Sequence, residues 1–298
     1  MLYVTEAQVR QHLSMKACIR LMRETFEALR AGTAINQPRR RMILPTGSVL
    51  HSMAGAIGKY FGTKFYSANP KTGANFFFFL FDAATAQPLA QFEANHLGQI
   101  RTGAASGYAT DVLASPTAST LAIIGSGFQA ETQLYAMHEV RQFKEVRVWS
   151  RDKSKRERFA AQNDARATET AEEAVRGADI VVTATWAKDP VLESSWILPG
   201  THINAMGSNQ PQRRELPPDL IARADLIACD SIEVAKIESG DLLLAPVEWS
   251  DPRIVDLASV DTRPAGNPVT IFKSNGLGVE DVAAAAYIYE QLQQSLAV

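Results

Sequence analysis

Lys64 sits in Tyr60-Phe61-Gly62-Thr63-Lys64-Phe65-Tyr66 and is the only charged residue between Lys59 and Lys71. Strand alternation puts it on one face with Tyr60, Gly62 and Tyr66, and Phe61 and Phe65 on the other. A lysine so placed either snorkels to solvent or is held for chemistry. Arg101 is the only formal charge in a small-residue helix over 95–110 (Gly98, Gly103, Ala104, Ala105, Ser106, Gly107, Ala109). An arginine in a helix built for tight burial needs an anionic partner, because an unpaired buried charge is costly. That partner is an internal carboxylate such as Glu93 or Asp281, or a bound ligand; the ligand is the favoured reading. Upstream, Pro38-Arg39-Arg40-Arg41 is either a solvated strand-edge cluster or a set of which one arginine reaches an anion, its fork matching a carboxylate in two contacts.

A second kind of chemistry is written in Thr120-Leu121-Ala122-Ile123-Ile124-Gly125-Ser126-Gly127-Phe128-Gln129-Ala130. A buried strand ends in a glycine turn that opens directly into a helix, so backbone N–H groups at the helix start can receive a pyrophosphate. A bare glycine pattern is weak; here the flanking strand and helix are both legible. The next strand, over 145–149, ends in Ser150-Arg151, with Lys153, Lys155 and Arg156 close behind. At that place an acidic residue favours NAD, whereas serine and arginine suit a 2′-phosphate. NADP(H) is therefore expected, with NAD(H) possible.

These residues need elements to position them. Ser14 caps a helix to about Ala31 with Cys18, Met22, Phe26 and Leu29 on one stripe and Gly32 as terminator. Strand-like segments follow around 41–44, 49–54 and 60–68, then a continuous apolar strand over 75–81 and a turn at 82–87. After Ser115-Pro116-Thr117 breaks the chain, βα alternation takes over: strands over 145–149, 179–185, 202–206, 225–228 and 269–273. Ligands in open parallel sheets gather at carboxyl ends of strands, which nominates Thr183, Ala184, Thr185, Met206, Gly207 and Asn209. Ser274 and Leu277 stand in the turn before a final helix from Val279, small at 283–286 and so a mate for the Arg101 helix. The expected organisation is α/β: a Rossmann doubly wound domain over 115–274, and a discontinuous α/β substrate-binding and dimerisation domain over 1–114 with 275–298.

Bulk properties narrow the class further. A chain of 298 residues with net charge −2 has room for about two domains and no global field for nucleic acid or an anionic membrane. Cys18 and Cys229 suggest small core residues in a reducing, cytoplasmic setting rather than a disulfide. The longest apolar run, 76–81, is far too short to span a bilayer. His12, His51, His96, His138 and His202 show no metal-type spacing, and there is no G-x-S-x-G elbow or P-loop.

Taken together, Pro38–Arg40, Lys64, Arg101-Thr102-Gly103-Ala104-Ala105-Ser106, Gly125 to Ala130, Asn204 to Glu215 with Leu216, and Phe272-Lys273-Ser274 with Glu280-Asp281 resemble the ornithine cyclodeaminase/mu-crystallin family over essentially the whole chain. The resemblance implies a homodimer and a basic trio gripping the substrate's α-carboxylate: Arg40 (Arg39 being the alignment rival), Lys64 and Arg101. It also implies two departures. His51 stands where cyclodeaminases carry the acid that recognises a distal amine, and Asn209 stands where they carry a catalytic aspartate. The resulting expectation is an NAD(P)H-dependent reductase of a small imino or amino acid, such as Δ1-pyrroline-2-carboxylate, with Lys64 and Arg101 catalytic. Ornithine or lysine cyclodeaminase, an alanine-type dehydrogenase and a crystallin-like NADPH-binding protein without turnover are the alternatives.

Overall fold

The computed structural model describes residues 1–296. Packing divides the chain into two compact units, Met1–Ala104 with the stretch from Gly276, and Ala105–Asn275.

In the first unit, six strands run β1 (Leu2–Val4), β2 (Ala34–Ile43), β3 (Val49–Ile57), β4 (Tyr60–Asn69), β5 (Gly73–Asp82) and β6 (Pro88–Glu93), arranged β1-β6-β5-β4-β3-β2. All neighbours are antiparallel except β1 with β6. Helices α1 (Glu6–His12), α2 (Met15–Arg30) and the start of α3 (Asn95–Leu113) join the sheet, and α10 (Gly278–Leu296) returns to it. Helix α2 is capped by Ser14 on Ala17 N–H at 3.2 Å and buries Cys18, Met22 and Phe26 completely. Strand β1 and helix α1, with its Thr5/Gln8 capping box, are additions to the sequence expectation. The start of α10 lies directly on β3: a Cβ at Gly278 would stand 2.7 Å from Ala54 O, and one at Gly55 2.6 Å from Val279 Cα. Only glycines allow that approach, and it presents Glu280 and Asp281 to the sheet.

The second unit holds β7 (Thr120–Ile124), β8 (Glu145–Trp149), β9 (Arg166–Ala167), β10 (Ile180–Thr183), β11 (His202–Ala205), β12 (Leu226–Cys229), β13 (Ile254–Asp256) and β14 (Thr270–Lys273). They form one parallel sheet in the order β13-β12-β14-β11-β10-β7-β8-β9. The chain leaves β7 toward β8 and β9, then returns to β10 on the other side, so the strand order reverses between β7 and β10. This is the doubly wound arrangement expected of a Rossmann domain. Helices α4 (Phe128–Val140), α5 (Lys153–Gln162), α6 (Ala171–Val175), α7 (Pro218–Arg223), α8 (Ile232–Glu238) and α9 (Gly240–Leu243) complete the unit.

The division between units falls inside α3, before the boundary at 114 that the Ser-Pro-Thr break suggests. The reason is local. The second half of α3 is bound to its own unit through Thr110 Oγ1 donating to Met137 Sδ at 3.4 Å and Arg141 donating to Thr110 O and Ala114 O at 3.2 and 3.1 Å. No helix among the described residues is long and apolar enough to cross a membrane.

Candidate functional site

Two constellations carry chemistry, one in each unit. In the first unit β4 turns Lys64 inward, opposite Met53 of β3 and Phe78 of β5, and leaves it 2% exposed. Its Nζ donates to Asp281 Oδ2 at 2.7 Å. Arg101, on α3, donates from Nε to the other oxygen, Asp281 Oδ1, at 3.2 Å and from Nη1 to Glu280 Oε2 at 2.9 Å. Thus a pair of internal carboxylates gives Arg101 the anionic partner that its burial demands. Asp281 is one of the two that the sequence nominated; Glu93 instead accepts from Tyr3 and the Glu6 N–H. Donors remain: among the described residues Arg101 Nη2 and two of the three Lys64 protons have no hydrogen-bond acceptor.

The electrostatics follow from this packing. Burial, then the charge of Arg101, push Lys64 down to about 8, with Asp281 holding it up and Arg39 pressing it further down. For Arg101 burial works against the charge, but Asp281 and Glu280 outweigh it and raise the pKa.

Arg39, not Arg40, joins this face. The register between β2 and β3 shifts between Gln37 and Arg40, at Pro38, and the inward side of β2 changes there. Arg39 is buried with Nε on Met53 Sδ at 3.3 Å, while Arg40 is exposed. A proline is tolerated because β2 is an edge strand. His51, also inward on β3, stacks on Tyr66 with centroids 4.1 Å apart and planes 5° from parallel. Its Nδ1 is buried without a hydrogen-bond partner among the described residues. Burial, followed by the charges of Arg41 and Arg39, pushes it down to about 4, so the ring is neutral near pH 7.

In the second unit the glycine turn stands at the strand-order reversal. Gly125 has φ 122°, where an L side chain is strained, and a Cβ there would strike Ala184 O. Its N–H bonds Trp149 O at 2.8 Å, and Ala184 N–H bonds Ile124 O at 2.8 Å, so the turn is tied to both neighbouring strand ends. Gly127 is the N-cap of α4 and provides no side-chain cap; a Cβ there would meet nothing within 4 Å. The start of α4 is therefore left without a side-chain cap beside open space, an arrangement an anion can use. Phe128 is exposed and Gln129 half-buried beside them.

Ser126 Oγ and Ser150 Oγ lie 2.8 Å apart, joining the glycine turn to the end of β8. Arg151 is exposed, and Lys155 reaches only Asp152 at 3.7 Å. Arg156, by contrast, is buried on Glu169 Oε2 at 2.7 Å and Ser150 O at 3.1 Å, so its guanidinium is engaged within the protein. Thr183, Ala184 and Thr185 follow β10, and Met206, Gly207 and Asn209 follow β11, in register through Met206 N–H on Thr183 O at 3.1 Å. Ser274 N–H bonds Ala205 O at 3.1 Å, beside them. Leu277 belongs to the first unit, with its N–H on Glu280 Oε2 at 3.3 Å.

A sequence model of the ornithine cyclodeaminase/mu-crystallin family matches residues 2–295. The chain belongs to this family. Within it, the chain is 39% identical over 216 residues to the ketimine reductase mu-crystallin of Mus musculus, covering 71% of this chain and 67% of that one. It is 40% identical over 228 residues to a Delta(1)-pyrroline-2-carboxylate reductase of Bacillus cereus, covering 71% and 69%. The solved structure of the Thermococcus litoralis Delta(1)-pyrroline-2-carboxylate reductase in complex with NADH and L-proline superposes with a TM-score of 0.92 at 29% identity, over 99% of this chain and 98% of that one.

What motif reading did not yield in this family member is a second buried charge network. Glu215 accepts from Thr183 Oγ1 (2.8 Å), Thr185 N–H (2.7 Å), Thr185 Oγ1 (2.6 Å) and Gly207 N–H (2.7 Å), clamping the ends of β10 and β11 together. Burial, then the charge of Asp241, raise its pKa. Asp241 accepts the N–H groups of Glu215 and Leu216 at 2.6 and 2.9 Å and pairs with Lys273 Nζ at 2.9 Å. Lys273 also donates to Ser208 O at 2.6 Å and Ala205 O at 3.3 Å. The available signal was charge type alone: Lys273 and Glu215 interrupt apolar or turn segments, but nothing local names their partners. Among the described residues no group of His, Cys, Asp and Glu side chains is disposed to hold a metal.

Proposed function

We propose that the chain is a reductase of small imino acids that prefers NADPH and also takes NADH, with a cyclic ketimine such as Δ1-pyrroline-2-carboxylate as its substrate class. The observation that carries the reading is the inward cluster of Lys64 and Arg101 with Asp281 and Glu280, charge-balanced yet retaining unengaged cationic donors. The names of the mouse and Bacillus relatives support the same reaction class.

The uncapped start of α4 and the open space beside Gly127 fit a dinucleotide pyrophosphate, held by the turn from Gly125 to Gln129. When bound, the nicotinamide supplies the hydride that turns C=N into CH–NH. Ser150 and the exposed Arg151, with Lys155 nearby, suit a 2′-phosphate; Arg151→Ala is expected to lower the NADPH-over-NADH preference about tenfold, as for one charge-assisted contact. Arg101, with Arg39, holds the α-carboxylate. Lys64 gives one unengaged proton to the imine nitrogen and recovers it from solvent; its depressed pKa suits proton transfer near neutrality. His51 and Asn209 are uncharged, so neither offers a carboxylate for a distal ammonium or for an amine's proton, which disfavours ornithine cyclisation.

A panel of cyclic and acyclic imino acids, keto acids with amines, and L-amino acids, each run with NADPH and NADH, tests the reading. NADPH oxidation with a cyclic ketimine is the expected result. Ammonia release from ornithine or lysine on catalytic NAD, without net cofactor change, would establish a cyclodeaminase instead, and cofactor binding without any turnover a binding protein.

The proposed assembly is a homodimer through the sheet face that α10 leaves bare. Met42 is exposed beside its partner Leu50, and Phe65 beside Phe77. Sedimentation of the native protein against Phe65→Glu checks this, the variant being expected to sediment as a monomer.

A further inference from the structure

Asp281 is wholly buried on the first turn of α10 and spends its two oxygens on different cations, Oδ2 on Lys64 Nζ and Oδ1 on Arg101 Nε. Its neighbour Glu280 reaches only the arginine of the two, at Nη1. So one carboxylate fixes the direction of the ammonium relative to the guanidinium, and the other does not. The groups facing Lys64 are few. Arg39 comes from β2, Arg101 from α3 and Asp281 from α10, while β3 and β5 place uncharged Met53 and Phe78 opposite it. Neutral His51 lies two residues along β3, and Cys18 of α2, next to Glu280, Arg101 and Asp281, is a thiol pushed up by burial and so uncharged. Among the described residues Asp281 is therefore the one carboxylate paired with Lys64, set against the charges of two arginines.

We propose that Asp281 is a positioning residue for the reaction: bridging Lys64 and Arg101, it aims the lysine ammonium and supplies the negative charge that keeps a buried lysine a proton donor. The inference rests on the imino-acid reductase reading for its kinetic consequence, but not for its electrostatic one. Desolvation and two arginines push the lysine toward its neutral form, and Asp281 opposes them by charge and by hydrogen bond. In the reductive direction the protonated lysine is the active form, so activity falls as pH rises through its pKa, near 8 in the native protein. Removing the Asp281 charge moves that fall to lower pH.

The test is the pH profile of kcat/KM for Δ1-pyrroline-2-carboxylate with NADPH, in native protein, Asp281→Asn, Asp281→Glu and Glu280→Gln. In parallel, the Lys64 titration is followed by NMR of [6-13C]lysine-labelled protein, its signal assigned by absence in Lys64→Met. Asp281→Asn is expected to shift both the alkaline limb and the lysine titration down by about one pH unit or more, which at pH 8 is about a fivefold loss from protonation alone. Asp281→Glu restores the limb, and Glu280→Gln raises KM with the limb in place. If Asp281→Asn, or Asp281→Ala should the amide variant not fold, leaves the lysine titration and the limb where the native protein has them, or if Glu280→Gln moves them as far, the inference is overturned. Absence of turnover in native protein would defeat the reductase reading while the NMR titration still decides the role of Asp281 on Lys64.

Discussion

The two buried charge networks make an instructive pair. Lys273 and Lys64 are both inward-facing strand lysines beside an aspartate, at 2.9 Å from Asp241 and 2.7 Å from Asp281. Lys273 spends the rest of its protons on Ser208 O and Ala205 O, and Glu215 fills its lone pairs with four donors. Lys64 has one acceptor only, and Arg101 keeps Nη2 unengaged among the described residues. A satisfied network has nothing left to offer a ligand and serves to fix the chain. An unsatisfied one tolerates the cost of buried donors because something else completes it. The contrast separates architecture from chemistry where burial and charge type look alike.

Breaking the open network is expected to give the largest effect. Arg101→Ala strands Glu280 and Asp281 without their guanidinium and should cost ~3–5 kcal/mol in denaturant unfolding. It should also abolish imino-acid reduction while leaving NADPH affinity, read by fluorescence, within a few-fold. An equal loss of NADPH affinity would show the open network to be architectural as well. Next comes the closed network. Glu215→Gln replaces one acceptor oxygen with an NH2 facing two N–H or O–H donors and should destabilise by ~1–3 kcal/mol. Because Glu215 holds Thr185 and Gly207 in place, cofactor affinity should weaken with it; turnover lost at unchanged cofactor affinity would blur the distinction.

A third effect, spread over several pH units, is a pH dependence of stability. His202, buried in the second unit with Nδ1 on Thr270 Oγ1 at 2.9 Å, is pushed down to about 3 by burial. Its folded pKa lies below the unfolded 6.5, so between those values only the unfolded chain binds the proton. The stability it supports is whole above pH 6.5 and falls as pH drops toward 3, with a slope of at most ~1.4 kcal/mol per pH unit. Urea unfolding of native protein and His202→Gln across that window should differ in slope, whereas the Lys64 network announces itself on the alkaline side, in activity.

Much of this was readable from the chain. The glycine turn, the βα alternation, Lys64 and Arg101 all declare themselves through local pattern, since a strand's period or a helix's small residues are properties of neighbours in sequence. Arg39 over Arg40 was not, because the choice depends on a β-bulge at Pro38 that reverses which residues face inward. Nor were the Glu215–Asp241–Lys273 contacts, which join residues whose nearness exists only once β10, β11 and β14 are assembled. The contact of Arg156 with Glu169 is likewise one that the local pattern beside Ser150 does not show.

The two cysteines offer an experimental handle. Cys18 lies in one unit and Cys229 in the other, each with no exposed surface and a thiol pushed up by burial, so neither reacts while its unit is closed. Pulsed alkylation followed by peptide mass mapping would then act as two stopwatches in one molecule, timing the opening of each unit independently, with native residues and no engineered probe.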